Sequence, residues 1–451
     1  MKIKALVLGF SASALLFASS AGFAEGETVT VDKAEFDQLK AAVQLLLEER
    51  KENSRKLEAA ERAAQEAAAS AEQASEVAEE ASEVAEAAVE AVDDGGINTW
   101  FENTQIGGYA EVLYNNGTQN SDNSDNISNE IDVQRFIFYI NHQFTDNLRF
   151  FSETEIEHTR SGRSDDDPGA LELEQAYIEW DYIQNHSATA GLQLVPLGII
   201  NETHEPDTFF GVERPRVESR IIPTTFRVIG LGASGQFGEG WSYNALLHEG
   251  LQFDDGDLDI RDARQNGARA NAEQLAGTGR IKYTGIPGLE LAAGFQYQSD
   301  FTQDETSNSN LNRAAIEANG AIDGVLSTAH AIWQRGPFGL RALYSRWDID
   351  SDVEDLDDGD GRDEQEGWYI EPSWRFTDKF GVFARYEFID ERAGSNDGEA
   401  EDSEENRYLL GMNYWLHPNV VLKADIQLED DEDRNDDNEL DGFNLGVGWS
   451  F

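Results

Sequence analysis

The chain closes on FNLGVGWSF, residues 443–451, in which Phe443, Leu445, Val447, Trp449 and Phe451 alternate with Asn444, Gly446, Gly448 and Ser450. A period of two belongs to an extended strand whose side chains point to opposite faces. The pattern recurs upstream: Leu422, Ala424, Ile426 and Leu428 oppose Lys423, Asp425 and Gln427. Between Lys379 and Ile389, Phe380, Val382, Ala384, Tyr386 and Phe388 alternate with Gly381, Phe383, Arg385, Glu387 and Ile389. One face is apolar and the other mostly polar.

Dividing residues 105–451 by this alternation gives about sixteen strands, starting near 105, 130, 147, 171, 186, 223, 241, 270, 288, 322, 337, 365, 379, 404, 419 and 440. The connections alternate in length. Short ones include Thr145-Asp146-Asn147, Gly238-Glu239-Gly240, Gly336-Pro337 and His417-Pro418-Asn419, whereas 117–129, 253–269, 301–321, 350–364, 391–403 and 429–439 are long and polar. A soluble sandwich has no reason to gather its long loops at one end; a transmembrane barrel has tight turns on one side and long loops on the other. Strands of about 10 to 14 residues exceed the roughly 9 to 11 that a tilted crossing needs. Aromatics near strand ends (Trp180, Tyr182, Trp333, Trp374, Phe376, Tyr414 and Trp415) fit interfacial girdles. The expected fold is an all-β, 16-stranded antiparallel transmembrane barrel. An even strand number leaves both barrel ends on the short-turn side.

The N-terminus has the layout of a secretory signal over residues 1–24: Lys2 and Lys4, an apolar stretch from Ala5 to Phe17, and small residues ending at Ala24. After it, no run reaches the roughly 18 apolar residues of a spanning helix. Residues 25–94 read as a long Ala-rich helix. Phe36, Leu39, Val43, Leu46, Leu57, Ala60 and Ala64 begin a heptad of small and apolar residues that continues to Val92, broken by Arg50 and Asn53. Such a seam predicts a coiled coil, and hence an oligomer. Asp93-Asp94-Gly95-Gly96 ends it, and 95–104 is read as a linker. With both barrel ends on the short-turn side, the coil belongs in the periplasm.

A formal net charge of −54 argues against nucleic acid, whose binding depends on Lys and Arg neutralising phosphates. The absence of cysteine removes disulfides, zinc-thiolate sites and Cys nucleophiles. His142, His158, His186, His204, His248, His330 and His417 fall in no metal-binding or triad spacing, so neither an enzyme nor a metal or other cofactor is expected.

One connection is unlike the others. LVPLGIINETHEPDTFFGVERPRVESRIIPTTF (194–226) carries four of the nine prolines and the apolar residues Ile199, Ile200, Phe209, Phe210, Val212, Ile221 and Ile222. Such side chains would be poorly placed in water, so the segment at about 197–222 is expected to fold into a barrel wide enough to hold an aqueous channel. Arg214, Arg216, Arg220 and Arg227, with Glu202, Glu205, Glu213 and Glu218, then become candidates for a pore constriction. Pairing of the arginines with those glutamates, which would only pin the loop, is equally compatible. Alternation points Arg135, Arg341, Arg375, Arg385, Arg407 and Lys423, and Glu111, Glu153, Glu155, Glu371, Glu387 and Asp425, toward the pore wall.

The run Val195-Pro196-Leu197-Gly198-Ile199-Ile200-Asn201-Glu202, with His204-Glu205-Pro206, Phe210-Gly211-Val212-Glu213-Arg214-Pro215 and Ile222-Pro223-Thr224-Thr225-Phe226-Arg227, resembles the phosphate-selective porin O and P family. The strand from Arg407 to Trp415 is similar too. The resemblance covers residues 105–451 and implies a homotrimeric porin of the Gram-negative outer membrane, with its third external loop folded inward. It also implies passage of small hydrophilic solutes or inorganic ions, including anions such as phosphate. Trp449 and Phe451 resemble the aromatic end by which outer-membrane barrels are recognised for assembly. The chain departs from the family in charge, with outer loops such as Asp352–Asp358 and Glu429–Asp433 strongly acidic. Expected partners are outer-membrane lipid and lipopolysaccharide, with cell-wall contact through the coil. The competing readings are a barrel-anchored periplasmic tether and, with less support, an outer-membrane hydrolase.

Overall fold

The computed structural model describes Lys33, Lys40 and residues 98–119, 127–159, 169–253, 258–303, 322–351, 362–394, 403–431 and 442–451. The chain divides into two compact units, Met1–Gly95 and Gly96–Phe451. In the first, Lys33 and Lys40 are helical and exposed; the signal peptide and the rest of the coiled coil lie outside the described residues, as do most of the acidic outer loops.

The second unit begins with a short helix, α1 (Asn98–Glu102), within the segment read as linker. Sixteen strands follow: β1 (Thr104–Gln119), β2 (Ile127–Thr145), β3 (Leu148–Glu157), β4 (Leu171–Ile183), β5 (His186–Leu194), β6 (Arg227–Phe237), β7 (Trp241–His248), β8 (Ala276–Ile286), β9 (Leu289–Gln298), β10 (Ile322–Arg335), β11 (Phe338–Ser351), β12 (Glu364–Thr377), β13 (Phe380–Asp390), β14 (Glu404–His417), β15 (Val420–Asp431) and β16 (Gly442–Ser450). Each pairs antiparallel with its neighbours in sequence, and β1 pairs with β16 to close the barrel, Val112 opposite Val447 and Tyr109 opposite Ser450. Phe451 extends the seam, its N–H donating to the Gly108 carbonyl at 2.9 Å and its carbonyl accepting from the Gly108 N–H at 3.0 Å. Closure leaves no unpaired edge, which a hydrocarbon environment would penalise severely.

Alternation assigns the faces. Leu410, Leu422, Leu428, Phe443 and Leu445 are exposed on the outside, where lipid rather than water receives them. Arg385, Glu387, Arg407, Lys423 and Asp425, from neighbouring strands, are buried on the inside. Trp180, Tyr182, Trp333, Trp374, Phe376 and Tyr414 are exposed as a girdle requires, but Trp415 is buried. As the neighbour of outward-facing Tyr414, Trp415 turns into the lumen, where the Arg375 guanidinium lies 3.9 Å from its ring centre.

Two strand starts differ from the sequence reading. Strand β6 begins at Arg227, not near 223, because Ile221 and Ile222 belong to the inserted loop and Thr225 has a left-handed φ of 47°. Strand β8 begins at Ala276, not near 270, because Asn271 is held in a turn: its N–H donates to the Gln265 side-chain carbonyl at 2.6 Å, and the Gln265 amide donates to the Asn271 carbonyl at 2.9 Å.

The apolar core is inside the barrel and asymmetric. Val195, Leu197, Ile200, Val217, Ile221, Ile222 and Phe226 of the loop between β5 and β6 pack on Leu326, Leu343, Trp347, Tyr369 and Ile389 of the wall. Phe253, Leu258, Ile260 and Ala263 complete the cluster, with Phe301. These come from connections expected to be solvated, so here the structure corrects the sequence reading. The β7–β8 connection folds back on itself, the Gln252 N–H donating to the Ala263 carbonyl at 2.8 Å, and the Gln365 amide donates to the Leu258 carbonyl at 2.8 Å. Trp347 joins wall to loop, its indole N–H donating to the Ile221 carbonyl at 2.9 Å.

Trp347→Ala is expected to destabilise the barrel by about 3–5 kcal/mol, from the cavity it leaves. A lower thermal midpoint in detergent, read by circular dichroism, checks it; an unchanged midpoint would show that the inner core adds nothing to barrel stability.

Candidate functional site

The loop between β5 and β6 leaves and returns through one neck. The Val195 N–H donates to the Phe226 carbonyl at 2.8 Å, and the Asn201 side chain secures both arms. Its amide donates to the Val195 and Phe226 carbonyls at 2.7 and 3.1 Å, while its carbonyl accepts from the Phe226 N–H at 2.8 Å. Gly198, at φ 78°, makes the turn that follows; a Cβ there would lie 2.6 Å from the Glu218 carboxylate. That carboxylate accepts from the Ile199 and Ile200 N–H groups at 2.7 and 2.6 Å and from the Tyr369 hydroxyl at 2.7 Å. Burial raises the Glu218 pKa, although these three donors oppose the shift.

From the neck the loop crosses the lumen to the far wall. The Arg341 guanidinium donates to the Thr208 carbonyl at 2.7 Å, the Asn413 amide to the Phe209 carbonyl at 3.2 Å, and Arg385 to the Phe210 carbonyl at 2.7 Å. The Lys423 ammonium lies 3.5 Å from the centre of the Phe209 ring. The Val212 N–H donates to Asp425 at 2.6 Å and the Arg216 N–H to Glu387 at 2.6 Å. Pro206 rests against Gly448, where a Cβ would come within 2.4 Å. Arg341, Arg385, Lys423, Glu387 and Asp425 do face inward, as alternation requires, but they act as the dock for the loop.

The loop's charges do not pair with one another as their spacing suggested. Arg216 reaches Glu405 at 2.8 Å and Glu429 at 3.6 Å, and Arg220 reaches Glu391 at 3.7 Å. Burial works against the Arg216 charge, but Glu405, Glu429 and Glu387 outweigh it and hold its pKa above the ordinary value. Arg227 pairs with Glu172, and Glu202 with Arg280. Glu213 accepts from the Asn115 amide at 2.8 Å. Arg214 donates to the Thr225 hydroxyl at 3.3 Å and forms no ion pair among the described residues. Burial lowers its pKa, and the nearby Arg135 charge lowers it further. On the wall, Arg135 pairs with Glu111 at 2.6 Å, Arg385 with Glu371 at 2.7 Å and Glu387 at 3.2 Å, and Arg407 with Glu429 at 3.1 Å.

Among the described residues three cavities lie beside the loop, one of them, of 670 Å³, bordered by Asp207, Thr208, Phe209 and Phe210 together with Arg341, Arg375 and Trp415. Of the other two, the one nearer the long loops has a volume of 280 Å³ and is bordered by Arg135, Arg214, Arg216, Arg261 and Arg407 and by Glu111, Glu155, Glu157 and Glu213. The one nearer the short turns has a volume of 470 Å³ and is bordered by Glu153, Glu179, Glu202 and Glu205 with His204, and by no Lys or Arg. Sequence reasoning missed Asn201, Arg261, Arg280 and Glu174. Strand alternation could have placed Arg280, but Glu174 is beyond it: between Glu153 and Thr154 the β3–β4 register slips from Gln175 to Leu173, leaving Glu174 in a bulge. Bulges re-aim side chains in this way, and Glu174 is fully buried on the inside.

A closed sixteen-stranded barrel with a lipid-facing exterior, a charged interior and a loop across its lumen defines a diffusion channel. The chain belongs to the Gram-negative porin family, whose model matches residues 63–436. It is 30% identical over 369 residues to an uncharacterized protein of Aquifex aeolicus (strain VF5), covering 77% of this chain and 79% of that one. Among solved structures it is similar to Salmonella typhi OmpF, determined in complex with daunomycin, at 13% identity, covering 77% of this chain and 98% of that one with a TM-score of 0.52. It also matches the outer-membrane channel DcaP of Acinetobacter baumannii at 12% identity, 77% and 97% coverage and a TM-score of 0.49. The protein is thus an outer-membrane channel for passive diffusion, and its family and fold are those of a channel rather than an enzyme.

Glu218→Ala leaves two buried backbone N–H groups and the Tyr369 hydroxyl without their acceptor, at about 1–3 kcal/mol for each. The loop base is expected to loosen, giving noisier single-channel currents in planar bilayers, with Glu218→Gln milder. Quiet wild-type currents from the alanine variant would show that this carboxylate does not hold the loop.

Proposed function

We propose that the protein is a general-diffusion porin with weak cation preference, whose constriction is formed by the inserted loop and the facing wall of β1–β5. The observation that carries this reading is how the arginines are spent. Arg135, Arg216 and Arg407 beside the upper cavity are each paired with carboxylates, so its five arginines face four glutamates and little net positive charge is left. In the lower cavity Glu179 and Glu202 are paired, with Arg149 and Arg280, while Glu205 forms no ion pair with Lys or Arg among the described residues. A water-filled passage lined by surplus carboxylate concentrates cations.

A phosphate-selective channel is the second reading, favoured by Arg214 and Arg261, which make no ion pair among the described residues and border the upper cavity together. Reversal potentials across a planar bilayer in a potassium chloride gradient distinguish the two. A small potential of the cation-selective sign is expected, and strong anion selectivity with block by phosphate would overturn the proposal. Arg214→Ala should shift permeability further toward cations, by roughly fivefold for about 1 kcal/mol of interaction in an aqueous passage; no shift would remove Arg214 from the pore.

The homotrimer, the recognition of Phe451 and Trp449 during assembly, contact with lipopolysaccharide and a periplasmic coil touching the cell wall belong to this proposal as well. The Ala-rich heptad supports the last of these. Deleting residues 25–94 is expected to preserve conductance while weakening attachment of the outer membrane, measured by vesicle shedding. Unchanged shedding would reject the tether.

A further inference from the structure

Glu153 on β3, Glu174 in the β4 bulge and His204 at the neck of the inserted loop converge, each offering a ligand atom within 4.8 Å of the others. The His204 Nε2 lies 3.8 Å from a carboxylate oxygen of Glu153 and 3.8 Å from one of Glu174, beyond hydrogen-bond reach. All three side chains are more than nine-tenths buried, at 4%, 3% and 0% exposure for His204, Glu153 and Glu174. Yet His204 Nε2, Glu153 Oε1 and both Glu174 oxygens have no hydrogen-bond partner among the described residues. Buried polar atoms are rarely left so, since each costs about 1–3 kcal/mol.

The neighbouring arginines do not satisfy them, and Glu155 brings a third carboxyl up to Glu174. Arg135 is taken by Glu111 at 2.6 Å and by the His204 carbonyl at 3.3 Å. Arg227 pairs with Glu172 and comes only to 3.9 Å from Glu174. The other ring nitrogen of His204, Nδ1, lies 3.0 Å from the Asn201 carbonyl and donates to it, which leaves the Nε2 lone pair aimed at the two carboxylates. The Gln175 amide donates to the second oxygen of Glu153 and fixes its orientation.

We propose that Glu153, Glu174 and His204 bind one divalent transition-metal ion of the zinc class. One imidazole nitrogen and two carboxylate oxygens suit such an ion better than calcium or magnesium, which prefer all-oxygen sites. A tetrahedron with bonds of about 2.0–2.1 Å has edges of about 3.4 Å; the two His204–carboxylate separations of 3.8 Å are within a few tenths of an ångström of that, and the Glu153–Glu174 edge lies within 4.8 Å. Glu153 and His204 border the 470 Å³ cavity, which supplies an entry path and room for a water ligand. The ion would pin the neck of the loop to the β3–β4 wall.

The test uses full-length protein purified from outer membranes in detergent, stripped with chelator and titrated with Zn2+, and separately with Co2+ as an optical probe of four-coordinate geometry. Wild type should take up one tight zinc ion per chain and give a cobalt spectrum with intense visible bands. Glu174→Gln and His204→Gln should each weaken this binding by about tenfold or more, whereas Glu179→Gln, which borders the same cavity outside the triad, should retain it. Retained heat-modifiable mobility on gels shows that a variant has folded, and either triad variant suffices. Zinc uptake that is equal in wild type and a folded triad variant, or a cobalt spectrum lacking those bands, would overturn the proposal.

Discussion

Backbone hydrogen bonding inside hydrocarbon is the constraint from which the rest of this structure follows. With no water to take unpaired N–H and C=O groups, a sheet in a bilayer must close, and the β1–β16 seam, extended by Phe451 onto Gly108, completes the ring. Closure sends alternate residues to lipid and to the lumen, so polar residues within the membrane-spanning part of a strand are committed to the interior. The polar faces of β11–β16 therefore gather many buried charges at close range. Most find a polar partner, often the backbone of the inserted loop, while the Lys423 ammonium lies over the Phe209 ring.

The loop and the wall are accordingly interdependent. Glu387 and Asp425 accept N–H groups from Arg216 and Val212, while Arg341 and Arg385 donate to loop carbonyls. An irregular segment in a lumen has backbone groups that a helix or sheet would otherwise satisfy; here wall side chains supply that satisfaction. The apolar half of the loop meets the same need differently, packing Ile221, Ile222 and Val217 under Trp347 and Tyr369. The neck residues Glu202, His204 and Glu205 stand on the opposite side, along β2–β7.

Much of the barrel is legible in the chain. Phe443–Phe451 shows its alternation without ambiguity, and fourteen of the expected strand starts lie within three residues of those observed. The exceptions are informative. Ile221 and Ile222 look like the start of a strand but are loop residues buried against a wall more than a hundred positions away in the sequence. Phe253, Leu258 and Ile260 sit among acidic residues in a connection that composition alone marks as solvated, and only their contacts with Phe301 and the inserted loop bury them. Pattern reading works where the period is local and fails where burial depends on a distant partner.

The sequence by itself determined the closed barrel, its lipid face, the set of charged residues turned inward and the identity of the loop that enters the lumen. Each follows from a period of two or from apolar residues that water would not tolerate. Tertiary structure alone decided what those charges do: that Arg216 pairs with Glu405 rather than with its loop neighbours, that Lys423 lies over Phe209, and that Arg214 makes no ion pair among the described residues. It alone brought Glu153, Glu174 and His204 together, through a bulge that one-dimensional alternation cannot register. The physical reason is that facing is set by each residue's neighbours in its own strand, whereas partnership is set by closure and loop insertion, which join residues far apart in the chain.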